Sequence, residues 1–402
     1  MQTTAIFLAL FIQSAPASSP SASRQIAHPD RAELLRTAIT ALVGMQEPDG
    51  DWPYEGVYRV RGEIPIGYRV GGTAIVAGAL LLAAPDDASA RKAIDRGVEF
   101  ILGQLDDPLM AASTRDTYDV RVWGHCYALE FFCRLREAKR LGGDAARIES
   151  WISRLVTILV EQQLRDGGWN YANRRQHASF VTAPVVQALL LARAQGEKVP
   201  DEVLAKARRA LSRSRYENGA FAYSGLSPVG RPAATTGAAS QPAASQPAST
   251  QAGSAPAASG PAGRVALAIE GSIARSAICE TTLALLGEDR PAEIADALEA
   301  FHAHWEWLEK RRKQTGTHVP PFQIAPSYFY YGHRYAAQAI ELLPRGRRDA
   351  ERKRLLEVIL RTRDADGTWN DRVFSRSRNF GTAMVVLALL GPECPLPPRF
   401  EK

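Results

Sequence analysis

The sequence predicts an all-α protein built from six helical hairpins, each with an outer and an inner helix. Two observations carry this prediction. A unit recurs along the 402 residues, in which an amphipathic helix is followed by a loop and then by a helix that is apolar nearly all round. The loop often contains Asp-Gly, as at 49–50, 166–167 and 366–367. An outer helix with one apolar stripe and an inner helix without a polar face indicate two concentric layers, the inner one buried.

Units one, three and six carry the pattern most clearly. Their outer helices are marked by Leu34, Ala38 and Leu42, by Ile148, Ile152 and Leu155, and by Leu355, Leu356 and Ile359. The other units are more degenerate, and their inner helices are predicted at 125–135, 278–286 and 333–343. Aligning all six inner helices gives one equivalent position in each: Thr73, His125, Thr182, Ile278, His333 and Thr382.

Composition excludes some classes of protein. Hydrophobic residues make up 46% of the chain, enough to bury a large core. The net charge of +6 is mild for this length and is not gathered into a basic run, so we expect no nucleic-acid partner. Four cysteines are too few for a disulfide framework, and no CxxC or HExxH spacing occurs, so we expect neither a metal nor a cofactor.

The amino terminus is predicted to direct export. An apolar run at 5–12 is followed by Ala15-Pro16-Ala17, which fits a cleavage site, so we interpret residues 1–17 as a signal peptide and 18–30 as a disordered leader. The expected location is the periplasm or the extracellular space. Every apolar stretch is too short to span a bilayer, so an integral membrane protein is not expected.

The hairpins are expected to form one domain over residues 31–392. Within unit four, residues 231–264 are almost entirely Ala, Ser, Thr, Gln, Gly and Pro, a composition that buries too little apolar surface to offset its ordering entropy. We therefore predict a disordered insertion. The apolar pattern resumes on both sides of it, which argues against a domain boundary there.

Four of the turns share a specific motif. Residues 46–52 and 163–169 fit Q-x-x-D-G-x-W, residues 363–369 keep its last half, and residues 215–221 are a worn copy. The motif resembles the QW repeat of squalene and hopene cyclases. The chain is thus similar to the terpenoid cyclase and protein prenyltransferase superfamily, including prenyltransferase and squalene oxidase repeat proteins. This resemblance implies an (α/α)6 toroid. It does not extend to the chemistry of those enzymes, because the D-x-D-D acid of the cyclases and the D-x-C zinc ligands of the prenyltransferases are both missing.

Each part of the motif has a structural role. Glycine accepts the positive φ of a tight turn, the glutamine can bond the loop backbone, and the tryptophan can pack across neighbouring units. We interpret the motif as bracing. The alternative is that Trp52 or Trp169 contacts a ligand.

Two inner helices share a different motif, Gly-His-x-Tyr-Ala. It contains His125 and Tyr127 in unit two and His333 and Tyr335 in unit five. Units three apart in a six-membered ring face each other, so the histidines are candidates for a catalytic acid and base pair and the tyrosines for ligand contacts. The alternative is that each histidine caps its helix or bonds a buried carbonyl.

Arginines recur near the inner-helix starts. Arg69, Arg121 and Arg378 lie four residues before the aligned position, and Arg275 lies one residue off. In a toroid the amino termini of the inner helices converge on one mouth, where these side chains would favour an anion. The alternative is local ion pairing, for which the sequence offers Glu63, Asp116, Asp119 and Asp371.

Three functions remain open from the sequence. The first is an exported binding or scaffold protein that uses its central cavity or ring face for a lipid, a glycan or a protein. The second is a divergent prenyl- or terpenoid-active enzyme, and the third a polysaccharide lyase or hydrolase, which rests on fold-level analogy. The expected ligand is hydrophobic or anionic, such as a polyprenyl phosphate or an acidic glycan.

Overall fold

The computed structural model describes residues 30–111, 120–171, 176–224 and 268–401. These residues form α-helices joined by loops and contain no β-strand beyond isolated bridges. The outer helices are α1 (Arg31–Gly44), α3 (Ala88–Gln104), α5 (Ala145–Glu161), α7 (Asp201–Ser214), α9 (Pro291–Ala303) with the short α10 (Trp305–Glu309), and α12 (Arg345–Arg361). The inner helices are α2 (Ile66–Ala83), α4 (Arg121–Glu137), α6 (Ser179–Ala194), α8 (Ile273–Leu285), α11 (Tyr328–Ile340) and α13 (Arg378–Leu390).

The six inner helices form a closed ring. Each packs on the next in the order α2, α4, α6, α8, α11 and α13, and α13 packs back on α2. Each outer helix packs on the inner helix of the preceding hairpin, with α3 on α2, α5 on α4 and α1 on α13. The structure therefore confirms the prediction of six hairpins in two concentric layers.

Helices α2 and α4 approach closely because glycines remove side chains from their contact. A Cβ atom on Gly71 would lie 2.4 Å from the Trp123 ring, and one on Gly67 would lie 2.5 Å from the Val120 carbonyl oxygen. By length and composition α2 is the one helix of the described chain that could cross a membrane, yet most of it is buried within the ring. Its apolar surface is therefore used in the protein core.

Turn tryptophans connect the helices of three hairpins. The indole of each is fully buried, and its Nε1–H donates to a carbonyl ten residues earlier on the outer helix: Trp52 to Leu42 at 2.7 Å, Trp169 to Leu159 at 2.7 Å, and Trp369 to Ile359 at 3.0 Å. Their backbone N–H groups donate to the inner-helix threonines: Thr73 at 3.0 Å, Thr182 at 2.9 Å and Thr382 at 3.1 Å. One residue thus connects the outer helix, the turn and the inner helix.

The glutamines of the motif connect neighbouring hairpins. Gln163 Nε2 donates to the Gly167 carbonyl and to the Val203 carbonyl on α7, both at 2.8 Å. Gln46 makes the equivalent pair of bonds within its own turn and to α3. In the sixth turn Arg363 takes this place and donates to the Gly367 carbonyl at 3.2 Å. The predicted bond from glutamine to loop backbone is confirmed, and the bond to the next outer helix adds to it.

The predicted alignment of unit four is wrong. The worn turn ends in Phe221, whose backbone N–H donates to Ser272 Oγ at 2.7 Å, as the tryptophans do to threonine. Ser272 is therefore the aligned residue of this unit and Ile278 is not. The inserted segment between Phe221 and α8 removes the constant spacing that located the threonines in units three and six. The predicted signal peptide, all but the last residue of the leader, and the insertion at 231–264 lie outside the described residues, and these assignments stay predictions.

We expect Trp169→Phe to lower the free energy of unfolding by at least about 2 kcal/mol, because it leaves the buried Leu159 carbonyl without its donor and opens a small cavity. Trp307→Phe is the matched control, since Trp307 is only partly buried and its indole nitrogen has no hydrogen-bond partner among the described residues. Chemical denaturation followed by circular dichroism measures both. Equal effects of the two substitutions would contradict the bracing role.

Candidate functional site

The centre of the ring is closed by side chains from opposite helices. Tyr127 on α4 and Tyr335 on α11 meet there, with 3.2 Å between their hydroxyl oxygens. Arg334 donates to Glu130 at 2.5 Å and lies over the Tyr335 ring, 4.9 Å from its centroid. The structure thus brings the two predicted tyrosines together, but as contacts of each other within this central plug.

Glutamines extend the plug toward the neighbouring inner helices. Gln187 on α6 donates to Thr282 on α8 and to Gln338 on α11, each at 3.0 Å. Gln338 donates back to the Gln187 amide oxygen at 2.8 Å. Side chains of α4, α6, α8 and α11 therefore occupy the middle of the ring, and a fully satisfied buried network of this kind makes the plug rigid.

The two histidines do not face each other across the ring. His333 Nδ1 donates to the Phe329 carbonyl at 2.7 Å, and its Nε2 accepts from the Trp305 indole at 2.8 Å. His125 is fully buried, beside Gln162 at the end of α5. Burial lowers the pKa of His125 to about 4 and that of His333 to about 3, so both are neutral at pH 7. For His333 the structure favours the alternative of a bond to a buried carbonyl.

Arg69 and Arg378 are paired with carboxylates of the turn motif. Arg69 donates to Asp51 at 2.7 Å and to Asp49 at 3.0 Å, and Arg378 donates to Asp366 at 2.7 Å. In unit three His177 makes the equivalent contact with Asp166 at 2.8 Å. The shared offset of these arginines therefore reflects the repeat of the turn. The contacts favour the ion-pair alternative, although the partners differ from the acids that the sequence offered.

Arg121 and Arg275 hold backbone carbonyls. Arg275 is buried and donates from Nε and Nη2 to the Phe221 carbonyl, and from Nη1 to the Gly271 carbonyl at 2.6 Å. Burial lowers its pKa. Arg121 is almost fully buried and donates to the Ala111 carbonyl at 2.6 Å. Both guanidiniums therefore join an inner helix to a loop that precedes it.

A pocket lies above the plug, at the mouth where the inner helices begin. Its cavity volume is about 60 Å³, within about 670 Å³ of space between the lining residues that includes open solvent, and we call it the mouth pocket. Ten aromatic residues line it: Tyr54, Tyr58, Tyr68, Trp123, Tyr171, Phe180, Tyr223, Tyr328, Tyr331 and Phe380. The remaining lining includes His318, Ser327 and Arg372.

Two repeat positions supply most of these rings. Four come from the residue two before the aligned inner-helix position: Trp123, Phe180, Tyr331 and Phe380. Three come from the residue two after the aromatic residue of the turn: Tyr54, Tyr171 and Tyr223. The spacing of these three tyrosines from Trp52, Trp169 and Phe221 is a pattern that the sequence contains and that our sequence analysis missed.

The rings of the mouth pocket are packed against one another. Phe180 stacks on Tyr223 with centroids 5.1 Å apart, and Tyr54 lies 4.5 Å from Phe380. Tyr68 meets Trp123 edge to face at 5.5 Å. Because aromatic pairs at these separations are mutually stabilising, the walls of the pocket are held in place by their own contacts.

In the sixth turn the tyrosine position is occupied by Asp371. Its carboxyl group is fully buried, and neither oxygen accepts a hydrogen bond from any residue that the structure describes. Burial raises its pKa to about 7. The next residue, Arg372, lines the mouth pocket. Sequence reasoning considered Asp371 only as an ion-pair partner and did not consider Arg372.

No family model matches this chain, and no curated protein matches it. Solved structures do match. The GH76A α-1,6-mannanase of a Salegentibacter species aligns at 11% identity over 89% of this chain and 98% of its own, with a TM-score of 0.56. A Listeria innocua protein aligns at 12% identity over 90% of this chain and 97% of its own, with a TM-score of 0.50. The type II terpene cyclase MstE from Scytonema aligns at 13% identity over 90% of this chain and 99% of its own, with a TM-score of 0.49.

The fold is the α/α toroid. At these identities the likeness establishes the architecture and no more. No comparison shows membership in the terpenoid cyclases, to which the turn motif is similar, and that resemblance stays a prediction.

We expect Asp371→Asn to remove one source of pH dependence. The native pKa of about 7 lies above the ordinary value of 3.8, so the native state binds more protons than the unfolded state between these values, and stability falls as pH rises through that window. Asp371→Asn should then raise the free energy of unfolding above that of the wild type by more at pH 8 than at pH 5. The two increases should differ by roughly 2 to 3 kcal/mol.

Chemical denaturation of both proteins at the two pH values measures this difference. The buried histidines titrate in both proteins and cancel in the comparison. Asp51→Asn is the control, because Asp51 is buried but bonded to Arg69, and its loss should destabilise at both pH values. An advantage of Asp371→Asn that does not change with pH would contradict the assignment.

Proposed function

We propose that the mouth pocket binds a carbohydrate and that the protein is an exported carbohydrate-binding toroid. The observation that carries this proposal is the lining of ten aromatic rings, seven of them tyrosines. Aromatic faces pack against the C–H faces of a pyranose ring, and tyrosine hydroxyls can bond its hydroxyl groups. The predicted signal peptide at 1–17 supports export.

The closed ring centre argues against a long isoprenoid ligand. A polyprenyl chain needs a deep apolar channel, whereas Tyr127, Tyr335 and the Arg334–Glu130 pair fill the place where such a channel would run. Desolvating a charged pair against a hydrocarbon chain is costly. The pocket above the plug suits a compact polar ligand better, and we therefore rank the prenyl-active alternative last.

Glycoside hydrolysis is the second candidate activity, and Asp371 is the observation that favours it. Most glycosidases use two carboxyl groups, one of them an acid with a raised pKa. Asp371 has the raised pKa, but neither it nor any other carboxyl group is among the described residues that line the mouth pocket. Binding is therefore the primary proposal. Release of reducing ends from a bound oligosaccharide, lost in Asp371→Asn, would favour hydrolysis instead.

Calorimetric titration with neutral oligosaccharides, acidic oligosaccharides and a polyprenyl phosphate tests the proposal. We expect an oligosaccharide to bind and Trp123→Ala to weaken it at least about fivefold, because the indole forms part of the pocket wall. Trp151→Ala on the outer helix α5 is the matched control and should retain the affinity. Binding of the polyprenyl phosphate alone, or equal loss in both variants, would contradict the proposal.

A further inference from the structure

The mouth pocket contains a guanidinium without a partner. Arg372 is 3% exposed and lines the pocket. Across residues 30–111, 120–171, 176–224 and 268–401, its side chain makes no hydrogen bond or ion pair, and its Nε is buried with no acceptor. A guanidinium has five N–H donors, and burying it unpaired is costly. The site is therefore incomplete without an acceptor from outside the described chain.

The cations around Arg372 each have at least one side-chain hydrogen bond, although the buried Nε of Arg312 also lacks an acceptor, and Arg372 differs in having none among the described residues. Arg59 donates to Glu55 at 2.7 Å, Arg312 donates to Glu309 at 3.0 Å, and Arg311 donates to the Ile324 and Thr315 carbonyls. The adjacent carboxyl group of Asp371 makes no hydrogen bond to Arg372, and although the charge of Arg372 acts to lower the Asp371 pKa, burial outweighs it and raises that pKa to about 7. The charge of Arg372 thus remains available to a ligand in the pocket.

The local backbone holds Arg372 in this position. Its backbone N–H donates to Asn370 Oδ1 at 2.9 Å, and Asn370 Nδ2 donates to the Phe374 carbonyl at 3.0 Å. The guanidinium lies 5.7 Å from the Phe374 ring centroid. Trp369 is hydrogen-bonded to α12 through its indole and to α13 through its backbone N–H. Residues 370–372, which follow it directly, are therefore held in position as the tyrosines of the other turns are.

We propose that the ligand of the mouth pocket is an acidic sugar whose carboxylate binds Arg372. The inference rests on the proposed carbohydrate binding and names the class of carbohydrate. A planar carboxylate accepts two parallel N–H bonds from a guanidinium, while the pyranose ring that carries it packs on the aromatic walls. The sixth turn, which has Asp-Arg where three other turns have tyrosine, would then orient the sugar in a pocket otherwise lined by similar rings.

Trigalacturonate and α-1,4-linked galactotriose form a matched pair of probes, because they differ in having carboxylate or hydroxymethyl groups on the same rings. We expect the wild type to bind the acid more tightly than the neutral trimer. Arg372→Gln should weaken binding of the acid about tenfold to a hundredfold and leave the neutral trimer unchanged. Arg372→Lys, which keeps the charge and loses the fork, should fall between. Arg376→Gln removes an exposed arginine of the same loop and is the control.

Titration calorimetry on each variant, with melting temperatures to confirm folding, separates the outcomes. Failure of the wild type to bind either trimer would overturn the carbohydrate proposal and this inference with it. Equal affinity for acid and neutral trimer, or equal losses for both in Arg372→Gln, would overturn the role of Arg372 alone. Inorganic phosphate that binds as tightly as trigalacturonate would show a site for a free anion, which also contradicts an acidic sugar.

Discussion

The ring depends on one repeated interaction, the hydrogen bond from a buried turn indole to the end of its outer helix. Trp52, Trp169 and Trp369 each make this bond, and each also donates its backbone N–H to the inner helix. The bond fixes the angle between the two layers in three of the six hairpins. Because the sixth hairpin must pack on the first, an error in any angle would accumulate around the ring and prevent closure.

The same turns connect the architecture to the pocket. Tyr54, Tyr171 and Tyr223 line the mouth pocket, and each lies two residues after the aromatic residue of its turn, which is Trp52, Trp169 or Phe221. Most of the aromatic wall is therefore a product of the repeat, and the sixth turn departs from it by adding Arg372 to the lining. The plug of Tyr127 and Tyr335 closes the centre below and separates the mouth pocket from the opposite end of the ring.

Patterns with a constant period were predictable, and contacts between distant hairpins were not. Apolar spacing predicted the hairpins, and the motif predicted the glutamine bond of Gln163. The shared Gly-His-x-Tyr-Ala motif marked two facing helices, but which of its side chains points inward depends on helix rotation, and the structure puts Tyr127 rather than His125 at the centre. The arginines do recur at one offset, but Arg69 and Arg378 use their side chains to pair with the nearby carboxylates of Asp51 and Asp366. No sequence pattern marks Arg372, because it is distinguished only by having no hydrogen-bond or ion-pair partner among the described residues, and that is a property of the folded chain.

We predict that ligand binds at the mouth, above the closed centre. Hydrogen–deuterium exchange measured by mass spectrometry, with and without saturating trigalacturonate, tests this most directly because it locates binding along the chain. Protection is expected in residues 54–58 and 317–331, which contribute to the mouth pocket, with no change in 337–343 and 389–393 at the opposite end of the ring. Protection confined to the opposite end, or spread along the outer helices, would contradict the account.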